Sequence, residues 1–120
     1  MDIEKLREVL REHIRIEEEN CNWDDGIDKC RVNEQKIICA DMIGAIDFIL
    51  NEASEEELAY LGESFSEICG LSQSVAFYQA VKKRYETMQE SKFKRDVAVE
   101  LKYMPGELEA EDIDTPQLPQ

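Results

Sequence analysis

Apolar residues recur along this chain at steps of three and four, and no segment alternates apolar and polar positions long enough to make a strand. Ile3, Leu6, Val9, Leu10 and Ile14 form a first stripe, with Lys5, Arg7 and Arg11 interleaved with Glu8 and Glu12, and Asp2 in the place of an N-cap. This pattern predicts a helix from Asp2 to about Glu18. Residues 20–33 hold Asn, Asp and Gly without a helical period and are expected to form a long loop. A second helix is expected from Glu34 to Asn51, capped by Asn33. Ile38, Met42, Ala45, Ile46 and Ile49, widened by Cys39, Ile43 and Leu50, would make it the central core helix.

Ser54 and Glu57 form a capping box that starts a third helix at Glu55, with Leu58, Leu61, Phe65 and Ile68 inward and Gly70 supplying a left-handed end. Ser72 or Ser74 caps a fourth helix that buries Phe77, Tyr78, Val81 and Tyr85. A fifth, from about Lys92 to Tyr103, packs Phe93, Val97 and Leu101 and stops at Met104-Pro105-Gly106. The expectation is an all-α chain of about five helices in antiparallel pairs, stacked in a HEAT-like or bundle arrangement. One helical domain would span residues 1–104, followed by an acidic, disordered tail over 105–120.

Charge changes the picture. The chain has 28 acidic and 14 basic residues, a formal net charge of −14, and residues 16–67 alone carry 15 acids against 3 bases. Such a field repels nucleic acid and anionic membranes and draws in a basic partner. No stretch approaches a membrane span and the N-terminus does not resemble a secretion signal, so a cytoplasmic protein with reduced Cys21, Cys30, Cys39 and Cys69 is expected.

Catalytic chemistry finds little support. His13 is the single histidine and is expected at the surface or a boundary, and no nucleophile–histidine arrangement or phosphate-binding glycine loop is present. The nine-residue spacing of Cys21, Cys30 and Cys39 is unlike the close ligand pairs of zinc sites. Around Gly26, a calcium loop would need a carboxylate where Val32 stands. No enzyme activity, metal or cofactor is expected.

The chain instead offers acids grouped with aromatics. Glu56, Tyr60, Glu63 and Glu67, spaced four, three and four, are expected on the face opposite the Leu58 stripe. Tyrosine among carboxylates suits a contact anchor, as does Trp23 beside Asp24, Asp25 and Asp28. The run Glu17, Glu18 and Glu19 opposes the dipole at the end of the first helix, and this unfavourable acid cluster invites a functional explanation. Asp41 and Asp47 on an otherwise apolar helix must reach solvent, a salt bridge or a partner.

Residues 47–85 resemble the helical immunity proteins of bacterial polymorphic toxin and contact-dependent growth inhibition systems. The resemblance rests on Ala53, Ser54, Glu56, Glu57, Leu58 and Leu61, then Phe65, Glu67 and Ile68, then Gln73, Ser74 and Phe77, and finally Arg84 and Tyr85. It implies a protein that binds one cognate toxin domain, commonly a nuclease and here expected to be an RNase, as a heterodimer that covers its basic active-site cleft. The partner surface is inferred from charge and helical phase: Glu18, Glu19, Trp23, Asp24, Asp25, Asp28, Asp41, Asp47, Glu56, Tyr60, Glu63 and Glu67. The competing readings are an acidic helical adaptor or regulatory protein, and an inhibitor that mimics nucleic-acid charge.

Overall fold

The computed structural model describes residues 1–20 and 25–109. All regular elements among them are helical: α1 (Ile3–Asn20), α2 (Asp25–Ala40), α3 (Met42–Asp47), α4 (Glu55–Leu61), α5 (Phe65–Ser72), α6 (Val75–Thr87) and α7 (Lys92–Tyr103). A π turn, Phe48–Glu52, continues α3, and 3-10 turns occupy Gly62–Ser64 and Met104–Glu107. None of these helices is long and apolar enough to cross a membrane. The expected disordered tail lies, from residue 110 onward, outside the described residues.

Asp2 caps α1 by accepting the Lys5 amide at 3.0 Å. The buried face of α1 is Leu6, Val9, Leu10, His13 and Ile16, so the single histidine stands inside the apolar stripe while Ile14 sits at its edge. Most of the expected 20–33 loop is the first half of α2. Ile27, Cys30, Glu34 and Ile38 are its buried positions, spaced three, four and four, and a carboxylate in the middle of that stripe conceals the period. Asp25 and Asp28 in the first turn favour the helix dipole. Glu17 faces Arg31 and His13 faces Glu34, so α1 and α2 run antiparallel.

The expected core helix from Glu34 to Asn51 is interrupted at Asp41, which leaves helical geometry at φ −147 and caps α3 by accepting the Gly44 amide at 3.0 Å. Its other oxygen takes the Met1 ammonium at 2.6 Å. A Cβ on Gly44 would fall 2.6 Å from that carboxylate, so the junction needs glycine there. The π turn then closes through the Ala53 amide donating to the Phe48 carbonyl at 2.8 Å.

The capping box of α4 is formed as expected, with the Glu57 amide donating to Ser54 Oγ at 3.1 Å and the Ser54 amide to Glu57 Oε1 at 2.9 Å. Arg7 of α1 joins this corner, donating to Glu57 Oε2 at 3.0 Å and the Glu52 carbonyl at 2.9 Å while lying 5.6 Å from the centre of the Phe48 ring. Gly70 does not end α5. The helix runs to Ser72, and Gln73, at φ 53, takes the left-handed conformation. That conformation costs a non-glycine residue about 1 kcal/mol or more. It is offset by the Gln73 side chain, which donates to the Gly70 and Glu107 carbonyls and accepts the Glu109 amide.

Ser74 and Ser91 cap α6 and α7. The main core joins Leu6 and Leu10 of α1 to Ile38, Phe48, Ile49, Leu58, Leu61, Phe65, Ile68, Phe77, Tyr78, Val81, Val97 and Leu101. Met104 and Leu108 are buried in the same core, so the packed chain reaches beyond residue 104. A smaller cluster of Val9, Ile16, Ile27 and Cys30 holds the α1–α2 hairpin together.

Phe48 is fully buried at the π turn. Phe48→Ala should lower unfolding free energy by about 3–5 kcal/mol, and Ser54→Ala by about 1 kcal/mol. Urea denaturation measures both, and equal effects would contradict this division between core and cap.

Candidate functional site

The histidine and the carboxylate that stand inside the apolar stripes of α1 and α2 are partners. His13 and Glu34 are both fully buried, with His13 Nδ1 2.8 Å from Glu34 Oε2. His13 Nε2 faces two more carboxylates, Glu17 Oε1 at 3.3 Å one turn along α1 and Glu63 Oε1 at 3.2 Å on the Gly62–Ser64 turn. Arg31 of α2 completes the group, donating from Nε to Glu63 Oε1 at 3.0 Å, contacting the same oxygen through Nη2 and lying 3.5 Å from Glu17 Oε1. Tyr60 stands edge-on to the His13 ring, with centroids 5.7 Å apart.

These contacts set the protonation of the cluster. Burial works against charge on His13, but hydrogen bonds to Glu34 and Glu63 outweigh it and raise the imidazole to about 10. Burial also opposes charge on Glu63, yet hydrogen bonds involving His13, Glu17 and Arg31 hold it down at about 2. Glu17 goes the other way. Burial and the neighbouring Glu63 push it up to about 7, against the pull of His13. Burial raises Glu34 as well.

Glu17, Arg31 and Glu63 also line a cleft of about 530 Å³, whose other side is Lys92, Asp96, Val99 and Glu100 of α7, with Ala59 of α4 at its base. Burial and then the charges of Glu67 and Glu63 raise the Glu100 carboxyl. The cleft thus presents four carboxylates and two cations, a surface suited to receiving a cationic side chain.

The expected partner surface divides. Glu18, Glu19, Asp25, Asp28, Asp47, Glu56 and Glu67 are exposed. Glu19 takes Arg15 at 2.7 Å, Asp28 takes Arg31 at 3.3 Å and Asp47 accepts from Asn51 at 2.8 Å. Trp23 and Asp24 lie outside the described residues. Asp41 serves the α3 junction. Tyr60 and Glu63 are half-buried: the α1–α2 hairpin covers this face, with His13 against Tyr60, and Glu63 stands where the helix tightens to three residues per turn at Gly62–Ser64. The four-residue outward stripe is therefore reduced to Glu56 and Glu67.

His13 corrects the expectation of a surface or boundary residue, since Glu34 supplies a buried partner from another helix. Arg31, Glu34, Lys92, Asp96 and Glu100 join the site without having been singled out in the sequence, and Glu17 joins it from the acidic run at the end of the first helix. The one available signal was local: His13 and Glu17 stand one helical turn apart and so share a face. Comparison with known proteins gives no match, as no family model, curated protein or solved structure aligns with the chain.

His13 is ordinarily protonated below about 6.5, and in the fold it stays so to about 10. Its stabilisation is complete below 6.5 and is lost as pH rises towards 10. Glu63, lowered from 4.5, stabilises above 4.5, and its contribution is lost as pH falls towards 2. Glu17, raised from 4.5 to about 7, lowers stability as pH climbs between those values. The Tm should therefore be highest at mildly acidic pH and fall as pH passes 6.5. In His13→Gln the last part of the fall, from where Glu17 is already ionised up towards pH 10, should be absent; an unchanged slope there in that variant would assign the pH dependence elsewhere.

Proposed function

We propose that this protein is an immunity protein that binds a single toxin domain, a basic nuclease acting on RNA, and covers its substrate cleft in a heterodimer. The observation that carries this reading is the concentration of 15 acids against 3 bases over residues 16–67. Glu18 and Glu19 at the end of α1, Asp25 and Asp28 at the start of α2, and Glu56 and Glu67 on α4 and α5 keep their carboxylates exposed. Nuclease surfaces that hold RNA phosphates are basic, and such a field steers them in and speeds docking.

The residues behind the resemblance support the reading at the level of the scaffold. Ala53, Leu58, Leu61, Phe65, Ile68 and Phe77 are buried, Ser54 and Ser74 cap helices, and Arg84 donates to the Ala53 carbonyl at 2.9 Å. Core and cap positions carry the resemblance, which leaves the exposed acids free to be matched to one toxin. Because Glu63 is committed to His13 and Arg31, the exposed acids are the ones to test.

Co-expression with the toxin domain encoded immediately upstream should restore growth and yield a one-to-one complex. Reversing charge at Glu18, Glu56 and Glu67 together should slow association by about tenfold or more at low salt while leaving the Tm of the free protein nearly unchanged. Cell death without a complex would favour the adaptor reading, and inhibition of unrelated DNA-binding proteins would favour the charge mimic. An unaltered association rate in the triple variant would move the interface off these helices.

A further inference from the structure

We propose that His13 Nε2, Glu17 Oε1 and Glu63 Oε1 form a binding site for one divalent transition-metal ion of the zinc type at the edge of the α7 cleft. The three donor atoms lie within 4.8 Å of one another. Nε2 is 3.3 Å from the Glu17 oxygen and 3.2 Å from the Glu63 oxygen. Zinc bonds of about 2.0–2.1 Å in tetrahedral geometry place neighbouring donors about 3.3–3.4 Å apart. Both carboxylate oxygens therefore already stand at the right distance from Nε2 for an ion that replaces its proton.

A second observation points the same way. Glu34 is fully buried, gives one oxygen to His13 Nδ1 at 2.8 Å, and has no partner among the described residues for its other oxygen, Oε1. A buried carboxylate behind a histidine fixes the tautomer with hydrogen on Nδ1, turns the Nε2 lone pair towards a metal and raises its basicity. The edge-on ring of Tyr60 limits rotation of the imidazole. As an ion-pair partner alone, a buried carboxylate with an unsatisfied oxygen is expensive.

Formal charge agrees. Glu17, Glu34 and Glu63 against Arg31 leave two negative charges uncompensated before the imidazole is counted, and one divalent cation balances them. Arg31 remains on Glu63 in this arrangement, and because Glu17 and Glu63 line the cleft, the remaining coordination is open to water there. Imidazole with two carboxylates suits zinc better than magnesium or calcium, which prefer oxygen ligands alone.

Metal-free protein titrated with ZnCl2 in a calorimeter should bind one ion per chain with micromolar or tighter affinity. CoCl2 should give visible absorption bands of a four-coordinate nitrogen and oxygen site, without the near-ultraviolet charge-transfer bands that a cysteine ligand would add. Glu17→Gln, at a half-buried position, should weaken zinc binding by at least about tenfold while the protein stays folded. His13→Gln should abolish it. Absence of uptake at millimolar zinc, thiolate bands with cobalt, or full affinity in Glu17→Gln would overturn the proposal, whether or not His13→Gln folds.

Discussion

The contact on which the rest of this structure depends is the buried pairing of His13 with Glu34. Each residue occupies a position that its helix would otherwise fill with an apolar side chain. Moving an isolated charge into such a place costs several kcal/mol, so neither is tolerable alone. Together, with Glu63 and Arg31 on the other side of the ring, they fix the register of the α1–α2 hairpin and tie it to the turn between α4 and α5. The helical elements are ordinary; the way they are clamped is particular to these four residues.

This explains which parts of the fold were legible in the sequence. Where caps and apolar spacing agree, as at Ser54 with Glu57 or Ser74 before Phe77, the element begins where its chemistry indicates. The start of α2 was hidden because Glu34 interrupts the stripe of Ile27, Cys30 and Ile38, and a buried carboxylate cannot be told from a solvent-facing one without its partner in view. The break at Asp41 was hidden for the opposite reason, since apolar residues continue across it and only a cap to Gly44 marks the new helix. At Gln73 a side chain with three hydrogen bonds does what glycine was expected to do at Gly70.

The same distinction governs the acidic surface. The large excess of acids between residues 16 and 67 mixes two populations. Glu17, Glu34, Asp41, Glu57 and Glu63 are occupied with His13, Arg31, the Met1 ammonium or Arg7, and the exposed Glu19 and Asp28 are partly offset by Arg15 and Arg31, whereas Glu18, Asp25, Asp47, Glu56 and Glu67 face solvent without a salt bridge among the described residues. Only the last group adds fully to a field that a basic partner would meet. Charge counted along the chain therefore overstates the interface, and helical phase misplaced Tyr60, whose face His13 of α1 covers, and Glu63, which stands in the 3-10 turn.

Because the chain contains a single histidine, one nuclear magnetic resonance titration reads the central contact without ambiguity. In metal-free protein, the account predicts that the His13 imidazole keeps protons on both ring nitrogens through neutral pH and begins to lose one only well above pH 8. An imidazole that titrates near its ordinary value of 6.5 would mean that the buried Glu34 and Glu63 carboxylates do not hold its charge, and the clamp described here would not exist.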